Sequence, residues 1–311
     1  MKSGPSIAIL IPCFNEAPTI EAVISGFRVY LPEAKIFVCD NNSDDDTAAI
    51  ARRAGADVIR EERPGKGNAM RRMFADIDAD LYLMVDGDAT YDPSVASCII
   101  RMLVGGQYDL VNVARRPTGS ASFRSGHRFG NWLFAALVGL VFGTSAINDM
   151  LSGYKGFSRR FVKTFPALSS GFEIETEIMI HALELRLPIY EIEAAYGERP
   201  NHSLSKLRTL LDGLRILRLV GFLIRQERPF AFFASLSAVL VAGSLWLGLP
   251  VVMDFFATGL VPRLPTAVLA ASLSLCAVIS FFSGIILDAV TQTRREIKRL
   301  NYLSLPPLPK L

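Results

Sequence analysis

Short apolar runs alternate with amphipathic stretches through the first third of the chain. The apolar runs have the length and continuity of strands buried in a parallel sheet, at 6–11, 35–39, 57–60, 80–85 and 108–114. The stretches between them repeat apolar residues at helical spacing, at 19–30, 47–54, 68–77 and 93–103. This β-α-β pattern predicts a Rossmann-like α/β fold, with an open, mostly parallel sheet and helices on both faces.

Polar clusters follow three of the predicted strands, at the point where each strand ends. The sequence reads PCFNE around Glu16, DNNSDDD from Asp40, and DGD at Asp86 and Asp88. Open α/β sheets bind ligands in the crevice at the carboxyl ends of their strands, so we expect these clusters to share one site. Helix capping is the alternative role for the smaller polar residues, and Asn15 is a candidate cap.

The Asp-x-Asp pair of Asp86 and Asp88 is suited to a Mg²⁺ or Mn²⁺ ion. Mg²⁺ keeps several water ligands and typically takes one or two carboxylates together with phosphate oxygens of a substrate. The two aspartates could therefore hold a metal that bridges to a diphosphate. An acidic surface turn is the alternative, because Asp-Gly pairs are common in turns. The position at the end of a buried strand favours the metal site.

The segment RPGKGN (63–68) has the composition of a phosphate-binding loop, although it does not match the P-loop pattern. Gly65 and Gly67 permit close approach of the backbone, and Lys66 supplies positive charge. We expect this segment to contribute to a phosphate site. Asp40, Asn41 and Asn42 offer side-chain groups that can bond a nucleobase or ribose.

Three glutamates alternate in the segment EIETE (173–177), which continues with a helical pattern. Glu175 and Glu177 are candidates for binding sugar hydroxyls. A solvated helix start is the alternative, because carboxylates are favoured near the positive end of the helix dipole.

Two runs near the C-terminus contain no charged residue, at 230–253 and 264–287. Each is long enough to cross roughly 30 Å of hydrocarbon as a helix. The link between them is short, so they predict a transmembrane hairpin. Basic residues flank the pair on both outer sides, which predicts that both chain ends are cytoplasmic. A pair of buried core helices is the alternative.

The segment 204–228, directly before the hairpin, has a leucine stripe at helical spacing and basic residues largely off that stripe. This pattern is typical of an amphipathic helix that lies on an anionic membrane surface, and packing on the soluble domain is the alternative. The predicted organisation is a catalytic domain at 1–203, this juxtamembrane helix, a transmembrane hairpin at 229–290 and a cytoplasmic tail at 291–311.

Half of the 311 residues are hydrophobic, which agrees with a soluble part joined to membrane segments. The net charge of only +3 argues against a nucleic-acid partner. The four cysteines form no zinc-binding spacing with one another or with histidine, and reduced buried thiols in a cytosolic compartment are favoured. The apolar run at the N-terminus ends at Pro12, so we expect no signal peptide.

Seven segments occur in an order that resembles a known family. They are LIPCFNEAPTI, VCDNNSDDDT, RPGKGNAMRRMF, VDGDATYDP, MLSGYKGFSRRF, GFEIETEI and ERPNHSLSKL. Together they resemble family-2 glycosyltransferases of the GT-A fold, and among these the polyprenol-phosphate glycosyltransferases, such as dolichol-phosphate mannose synthase and its bacterial undecaprenyl-phosphate relatives. The likeness covers about residues 5–225, and the membrane hairpin resembles the bacterial branch.

The resemblance implies roles for individual positions of this chain. The metal would bind Asp86 and Asp88, and Asp149 would be a third catalytic residue, an orienting acid at the reaction centre. The nucleotide sugar would contact Pro12, Asn15, Glu16, Asp40, Asn42, Lys66, Gly67, Asp86, Gly87, Asp88, Ser205 and Lys206. The acceptor phosphate would contact Arg115, Arg116, Arg128, Ser152 and Arg199.

The chain departs from the family pattern at two places. Some members have a glutamine two residues after the Asp-x-Asp pair as a further metal ligand, and here that position is Thr90. The glycine that usually precedes the Ser205-Lys206 segment is absent, because the chain reads Asn-His-Ser at 201–203. These departures bear on the third metal ligand and on the conformation of the loop that would close over the donor diphosphate.

The resemblance implies inverting transfer of a sugar from a nucleotide sugar to a polyprenyl monophosphate at the cytoplasmic face of the membrane, with Mg²⁺ or Mn²⁺. A UDP-sugar such as UDP-glucose is the favoured donor, and GDP-mannose is the alternative. A homo-oligomer, a dimer or a tetramer, is expected from the relatives. The alternative of another class is a non-catalytic, membrane-anchored protein that binds a nucleotide sugar. The chain has no Gln-x-x-Arg-Trp motif, which argues against a processive polysaccharide synthase.

Overall fold

A computed structural model describes residues 4–106, 108–117, 138–139, 142, 147–197 and 228–308 of the chain. Its strands are β1 Ile7–Cys13, β2 Lys35–Asp40, β3 Asp57–Arg60, β4 Leu81–Met84, β5 Leu110–Pro117, β6 Lys155–Ser158 and β7 Ile189–Tyr196. Its helices are α1 Ile20–Tyr30, α2 Thr47–Arg53, α3 Lys66–Asp76, α4 Ala96–Val104, α5 Arg159–Thr164, α6 Glu173–Glu184, α7 Pro229–Thr258 and α8 Leu264–Ser304.

The strands form one sheet in the order β3-β2-β1-β4-β6-β5-β7. Strands β1 to β4 run parallel to one another, β5 pairs with β7 in parallel, and β6 runs antiparallel between β4 and β5. The predicted α/β fold with a mostly parallel sheet is therefore confirmed. The parallel strands β1, β2 and β4 end at the same edge of the sheet, which brings their following loops together.

Each strand of the predicted β-α-β pattern is present, with its bounds at most three residues from those expected. Strands β6 and β7 were not anticipated. Strand β6 is only four residues long, KGFS, and begins with a lysine, so its composition does not indicate a buried strand. Strand β7 carries glutamates at alternating positions, and its pairing with β5 in parallel comes from the tertiary fold.

The core lies between the sheet and its covering helices. Strand β4 is buried at every position, and Ile9, Leu10 and Ile11 of β1 are completely buried. Phe27 of α1 packs edge-to-face on Tyr154, with ring centroids 5.8 Å apart. This dense packing beneath the strand ends gives the loops above it a rigid base.

The chain divides into two compact units, one of residues 1–212 and 298–311 and one of residues 213–297. In the second unit, α7 and the larger part of α8 pack together through small polar residues. Ser237 donates a hydrogen bond to the carbonyl of Ala277 at 2.8 Å, and Ser244 donates to that of Ala270 at 2.8 Å. Helices α7 and α8 are both long and apolar enough to cross a membrane.

Helix α8 continues beyond the predicted span to Ser304, and its last residues belong to the first unit. There Lys298 contacts Glu184 of α6 at 2.6 Å. The hydroxyl of Tyr302 donates to Asp109 at 2.6 Å, and the other oxygen of Asp109 accepts from Ser158 at 2.6 Å. The part of the sequence predicted to be a tail therefore contains residues that pack into the first unit.

Candidate active site

The loops after β1 and β2 are joined by hydrogen bonds. The backbone N–H of Asn15 donates to Ser43 at 3.0 Å, and the side-chain oxygen of Asn15 accepts from the N–H of Asp44 at 2.8 Å. The N–H of Glu16 donates to Thr47, the first residue of α2, at 2.9 Å. These bonds fix two of the predicted polar clusters against each other.

Asn15 does not cap a helix, contrary to the alternative role considered for it. Helix α1 begins at Ile20 and has no side-chain cap bond, because the residues after Asn15 form turns first. Asn15 itself adopts a left-handed conformation with φ of 57°, which asparagine tolerates better than most residues. The side chain is thereby exposed at the strand end, where it bonds the neighbouring loop.

Asp40 is nearly buried at the end of β2, and its carboxylate accepts a hydrogen bond from the N–H of Ser43 at 3.1 Å. In the parallel register of β1 and β2, Cys13 pairs with Asp40, and Pro12 precedes it and pairs with Cys39. Asn42 has a left-handed backbone, with φ of 63°, and donates to the carbonyl of Glu62 at 2.6 Å. These predicted donor-binding residues therefore lie on neighbouring strand ends.

The loops after β1 and β4 also meet. The hydroxyl of Thr19 donates to the carbonyl of Gly87 at 2.7 Å. A Cβ atom added at Gly87 would lie 2.8 Å from the sulfur of Cys13 and 3.6 Å from Cγ of Glu16. Only glycine fits between these side chains, so the sequence Asp-Gly-Asp allows the β4 loop to pack against the end of β1.

Lys66 joins Asp86 to Glu175 in a nearly buried charged cluster. Its Nζ lies 2.5 Å from Oε1 of Glu175 and makes a shorter contact with Oδ1 of Asp86. The Lys66 and Glu175 side chains are each 8% exposed, whereas that of Asp86 is 25% exposed. The cluster brings together three predicted site residues, from the first turn of α3, the loop after β4 and α6.

The charges in this cluster do not balance, because one ammonium group serves two carboxylates. Burial lowers the pKa of Lys66, but Asp86 and Glu175 outweigh burial and hold that pKa above its ordinary value. Burial and the neighbouring charge of Asp86 raise the pKa of Glu175 more than Lys66 lowers it. Lys66 therefore stays protonated as the shared partner of both carboxylates.

Asp88 is 2% exposed, and its orientation is set by Thr90. The Thr90 hydroxyl donates to Oδ1 of Asp88 at 2.6 Å, and the Thr90 N–H approaches the same oxygen at 3.2 Å. The sequence left open whether Thr90 is a third metal ligand. In this chain its short side chain contacts the aspartate and so orients the carboxylate.

The glycines of the 63–68 loop pack against another backbone segment. A Cβ atom at Gly65 would lie 2.2 Å from the carbonyl oxygen of Ser170, and one at Gly67 would lie 2.2 Å from that of Ser169. Glu177 accepts the N–H group of Ser169 at 2.8 Å and that of Leu168 at 2.9 Å, which holds this segment in place. Gly67, the residue after Lys66, and Glu177 thus both contact the backbone of Ser169.

Arg115 and Asp149 form a bidentate ion pair. Arg115 lies near the end of β5, and Asp149 lies in the segment before β6. Nε of Arg115 lies 2.7 Å from Oδ2 of Asp149, and Nη2 lies 2.9 Å from Oδ1. Burial raises the pKa of Asp149, but Arg115 outweighs burial and lowers that pKa below its ordinary value. Arg116, the neighbouring residue on the strand, is exposed because successive side chains of a strand point to opposite faces.

A buried polar network next to this ion pair was not predicted from the sequence. Asn112 of β5 donates to the carbonyl of Asp149 at 2.8 Å and to Glu191 of β7 at 2.7 Å. Glu191 also accepts the N–H of Asn148 at 2.9 Å, so it holds the segment that carries Asp149. Polar residues in two strands that become neighbours only in the folded sheet leave no local signal.

Lys155 at the start of β6 completes this network. Its side chain is completely buried and its Nζ bonds the side-chain oxygen of Asn112. Burial is the main cause that lowers the pKa of Lys155 to about 8, against the opposing charges of Glu175 and Asp149. The lysine belongs to the YKG segment of the family-like motifs, and its burial could not be read from them.

Ser152 is completely buried, and its hydroxyl accepts the N–H of Tyr154 at 3.2 Å. The adjacent Gly153 donates its N–H to the hydroxyl of Tyr91 at 2.8 Å. A Cβ atom at Gly153 would lie 2.1 Å from Oδ2 of Asp86. The Ser-Gly pair therefore lies directly behind the first aspartate of Asp-x-Asp.

Four predicted site residues lie outside the described part of the chain. They are the acceptor-phosphate candidates Arg128 and Arg199 and the diphosphate candidates Ser205 and Lys206. The predicted juxtamembrane helix at 204–228 also lies outside it, apart from its last residue.

The donor set at the strand ends fits a hard divalent cation. Asp86 and Asp88 offer carboxylate oxygens, and a cationic group, the Lys66 ammonium, already lies against Asp86. In the described residues no three His, Cys, Asp or Glu side chains form a ready metal-binding group. The remaining ligands of a metal at Asp86 and Asp88 would then be water and substrate oxygens.

The sheet order and the strand-end site define a GT-A glycosyltransferase domain. Residues 8–165 match the model of the family described as Glycosyl transferase family 2. The chain belongs to this family.

Two proteins of Haloferax volcanii are similar over most of their length. Glycosyltransferase AglJ is 31% identical over 97% of this chain and 100% of its own length. A dolichyl-phosphate hexose transferase is 26% identical over 71% of this chain and 95% of its own length.

A solved structure shares the fold of the catalytic part. Glucosyl-3-phosphoglycerate synthase from Mycobacterium tuberculosis, in complex with Mn²⁺, UDP-glucose and glycerol 3-phosphate, superposes with a TM-score of 0.56 at 25% identity. The match covers 73% of this chain and 81% of that one.

Proposed function

We propose that the chain transfers a sugar from a nucleotide sugar to a polyprenyl monophosphate. The favoured donor is a UDP-sugar such as UDP-glucose. The reaction inverts the anomeric carbon and gives a β-linked lipid-phosphate sugar. The observation that carries this proposal is the meeting of Asp86, Glu175 and Lys66 at the strand ends of a chain with two membrane-length helices.

The acceptor assignment is supported by the membrane-length helices and by a relative. The dolichyl-phosphate hexose transferase matches 95% of its own length to this chain, and its name specifies a lipid-phosphate substrate. A phosphate monoester is largely a dianion at neutral pH, because its second pKa is about 6. The acceptor is thus already nucleophilic, and no strong general base is required.

The donor assignment is supported by the fold neighbour that binds UDP-glucose with Mn²⁺. Asp40 and Asn42 lie on the strand end next to that of Pro12 and Glu16, where a nucleoside can bind. GDP-mannose is the competing donor, and the experiment below separates the two.

Asp86 and Asp88 would hold Mg²⁺ or Mn²⁺, which when bound neutralises the charge of the leaving nucleoside diphosphate. Thr90 orients Asp88 for this role through its 2.6 Å hydrogen bond. Lys66 contributes further positive charge beside Asp86, and Glu175 positions it.

Asp149 acts as an orienting acid. Its carboxylate is held ionised by Arg115, so it is poorly suited to accept a proton near neutral pH. Arg115 would present its guanidinium group to the acceptor phosphate from a fixed direction, because the ion pair and the Asn112–Glu191 network restrict its motion. Arg128, Arg199 and the Ser205-Lys206 segment remain proposed contributors to acceptor and diphosphate binding. The side chain of Ser152 is completely buried, which argues against its direct contact with the acceptor phosphate.

The proposed organisation is a catalytic domain at 1–203, an interfacial helix at 204–228, a membrane hairpin at 229–290 and a cytoplasmic tail at 291–311. The catalytic domain and both ends would lie on the cytoplasmic side, and the chain would form a dimer or tetramer. Reporter fusions at each end and in the 254–263 link test the orientation.

The activity is tested on the full chain purified in detergent. It is incubated with Mn²⁺, undecaprenyl phosphate and either radiolabelled UDP-glucose, other UDP-sugars or GDP-mannose. We expect label in the lipid phase with a UDP-sugar, and a β anomer by NMR. Asp88→Asn is expected to lower the rate by about a hundredfold or more, because a metal stabilises the transition state by several kcal/mol.

Asp57→Asn is the matched control, because Asp57 is an exposed aspartate at the start of β3. It should retain activity. Label transfer from GDP-mannose alone would assign the alternative donor. Binding of a nucleotide sugar without a lipid product from any donor would contradict the proposal and favour a non-catalytic binding protein.

A further inference from the structure

We propose that Lys66 is an exchangeable counter-ion that makes divalent-metal binding at Asp86 depend on the nucleotide diphosphate. In the donor-free protein its ammonium group occupies the positive position between Asp86 and Glu175. A divalent cation reaches Asp86 efficiently only together with a diphosphate that draws Lys66 away from that carboxylate. This inference rests on the proposed function, because it concerns the same donor site.

The geometry gives Lys66 two partners with different surroundings. Glu175 is 8% exposed and lies 2.5 Å from Nζ, whereas Asp86 is 25% exposed and has the shorter contact. Glu175 lies within the protein, on α6, and Asp86 lies on the loop that opens at the strand ends. A ligand that arrives at the site therefore meets the Asp86 end of the ion pair first.

A divalent cation that approaches alone is opposed by this arrangement. It would lie on the carboxylate that already contacts Nζ of Lys66, so two positive charges would be close together. If Lys66 moved away into solvent instead, Glu175 would be left buried without its ammonium partner, which is strongly unfavourable. Both routes weaken the binding of metal alone.

A diphosphate removes this conflict. The ammonium group has three hydrogen-bond donors, so Lys66 can keep Glu175 and turn another donor from Asp86 to a phosphate oxygen. Asp86 is then available to the cation, which the phosphates also attract. Metal and nucleotide consequently bind with positive coupling, and the coupling must be the same in both directions.

The backbone around Lys66 allows this exchange without movement of the main chain. Lys66 is the first residue of α3, and Gly65 and Gly67 on either side are packed against the carbonyl oxygens of Ser170 and Ser169. The Cα atom of Lys66 is thereby fixed, and the change is confined to its side chain.

The test is an equilibrium measurement of Mn²⁺ binding to the detergent-purified full chain, with free Mn²⁺ followed by electron paramagnetic resonance, with and without UDP. In the unaltered protein UDP should strengthen Mn²⁺ binding by about tenfold or more, within the usual range of such couplings. Lys66→Gln should strengthen binding of Mn²⁺ alone by at least about fivefold and shrink the effect of UDP.

Glu175→Gln should act in the opposite direction. The ammonium group then belongs to Asp86 alone, so Mn²⁺ without UDP should bind more weakly than to the unaltered protein. The double variant Lys66→Gln/Glu175→Gln leaves no uncompensated buried carboxylate and should resemble Lys66→Gln, which guards against loss of folding in the single variant. Lys35→Gln, at an exposed lysine in β2, is the matched control and should change neither affinity.

Two different negative results separate a failure of the counter-ion role from a failure of the proposed function. Mn²⁺ binding with UDP in the unaltered protein, but no gain in binding of Mn²⁺ alone for Lys66→Gln or the double variant, overturns the counter-ion role and leaves the proposed function standing. No Mn²⁺ binding in the presence of either UDP or GDP overturns the proposed metal–donor site, and the counter-ion role with it.

Discussion

Arg115 and Asp149 bind each other through two parallel contacts, of 2.7 Å between Nε and Oδ2 and 2.9 Å between Nη2 and Oδ1. The Arg115 N–H adds a third contact with Oδ2 at 3.1 Å. The side chains are 17% and 8% exposed. A nearly buried bidentate pair fixes the orientation of both side chains and keeps both ionised. Two predictions depend on this pair.

Removing one partner of this pair should destabilise the catalytic domain. Asp149→Asn leaves a buried guanidinium group without its carboxylate, and we expect a loss of about 3 kcal/mol in the free energy of unfolding. Thermal or denaturant unfolding of the detergent-solubilised protein measures it. The exposed Arg116 offers a control, since Arg116→Gln should change stability by less than about 0.5 kcal/mol. A loss as small for Asp149→Asn would show that the pair is unimportant for stability.

The pH dependence of the reaction should not report Asp149. Arg115 lowers the pKa of Asp149, so the carboxylate is ionised throughout the neutral range. Asp149→Asn should therefore lower kcat by the same factor at pH values of about 6, 7 and 8, and by less than Asp88→Asn. If Asp149→Asn removed a limb of the pH–rate profile, or cost as much as Asp88→Asn at every pH, Asp149 would be a general base.

Thr90 should matter through its hydroxyl. Thr90→Val removes the 2.6 Å bond to Oδ1 of Asp88 with little change in shape, and we expect a loss of about tenfold in kcat/KM from the misoriented carboxylate. Thr90→Ser keeps the hydroxyl and should retain most activity. Rates at saturating and limiting Mn²⁺ check this. Equal activity of the serine and valine variants would show that the Thr90 hydroxyl does not contribute to the metal site.

His181 should make the protein less stable in acid. It is 2% exposed between the rings of Phe161 and Phe165, and neither ring nitrogen has a hydrogen-bond partner within the described residues. Burial lowers its pKa from 6.5 to about 3, and Lys298 adds to the effect. Below pH 6.5 the unfolded chain takes up a proton that the folded chain does not, so stability falls with pH until about pH 3.

The size of this effect is about 2 kcal/mol between pH 6.5 and about pH 5, from one proton per molecule. His181→Phe should remove that part of the pH dependence, because phenylalanine fits among the aromatic rings and does not titrate. Unfolding curves of both proteins at several pH values measure the difference. Parallel curves for the two proteins would contradict the prediction.

Tyr302 should stabilise the catalytic unit through its hydroxyl and its ring separately. The hydroxyl donates to Asp109 at 2.6 Å, and the Arg160 guanidinium lies 4.1 Å from the ring centroid. Tyr302→Phe should cost about 1–2 kcal/mol, because Asp109 is buried and loses a donor. Tyr302→Ala should cost more, whereas Tyr30→Phe, at an exposed tyrosine, should be neutral. Equal unfolding midpoints for the unaltered protein and Tyr302→Phe would show that the hydrogen bond to Asp109 does not contribute to stability.

The order of elements in the first third was predictable from the sequence. Buried parallel strands require continuous apolar runs, and the helices between them require a different period, so each leaves a local pattern. The same patterns placed the polar clusters at the strand ends. The two long apolar helices were predictable for a related reason, since a run of this length without charge satisfies its backbone only as a helix.

The tertiary structure alone decided which of the clustered residues touch. Lys66, Asp86 and Glu175 lie far apart in sequence, and nothing local indicates that one ammonium group serves both carboxylates. Strand β6 inserts antiparallel between β4 and β5 and carries Lys155 into the core, where Asn112 meets it. Sequence patterns report the period of an element and its ends, whereas charge pairing depends on which elements become neighbours.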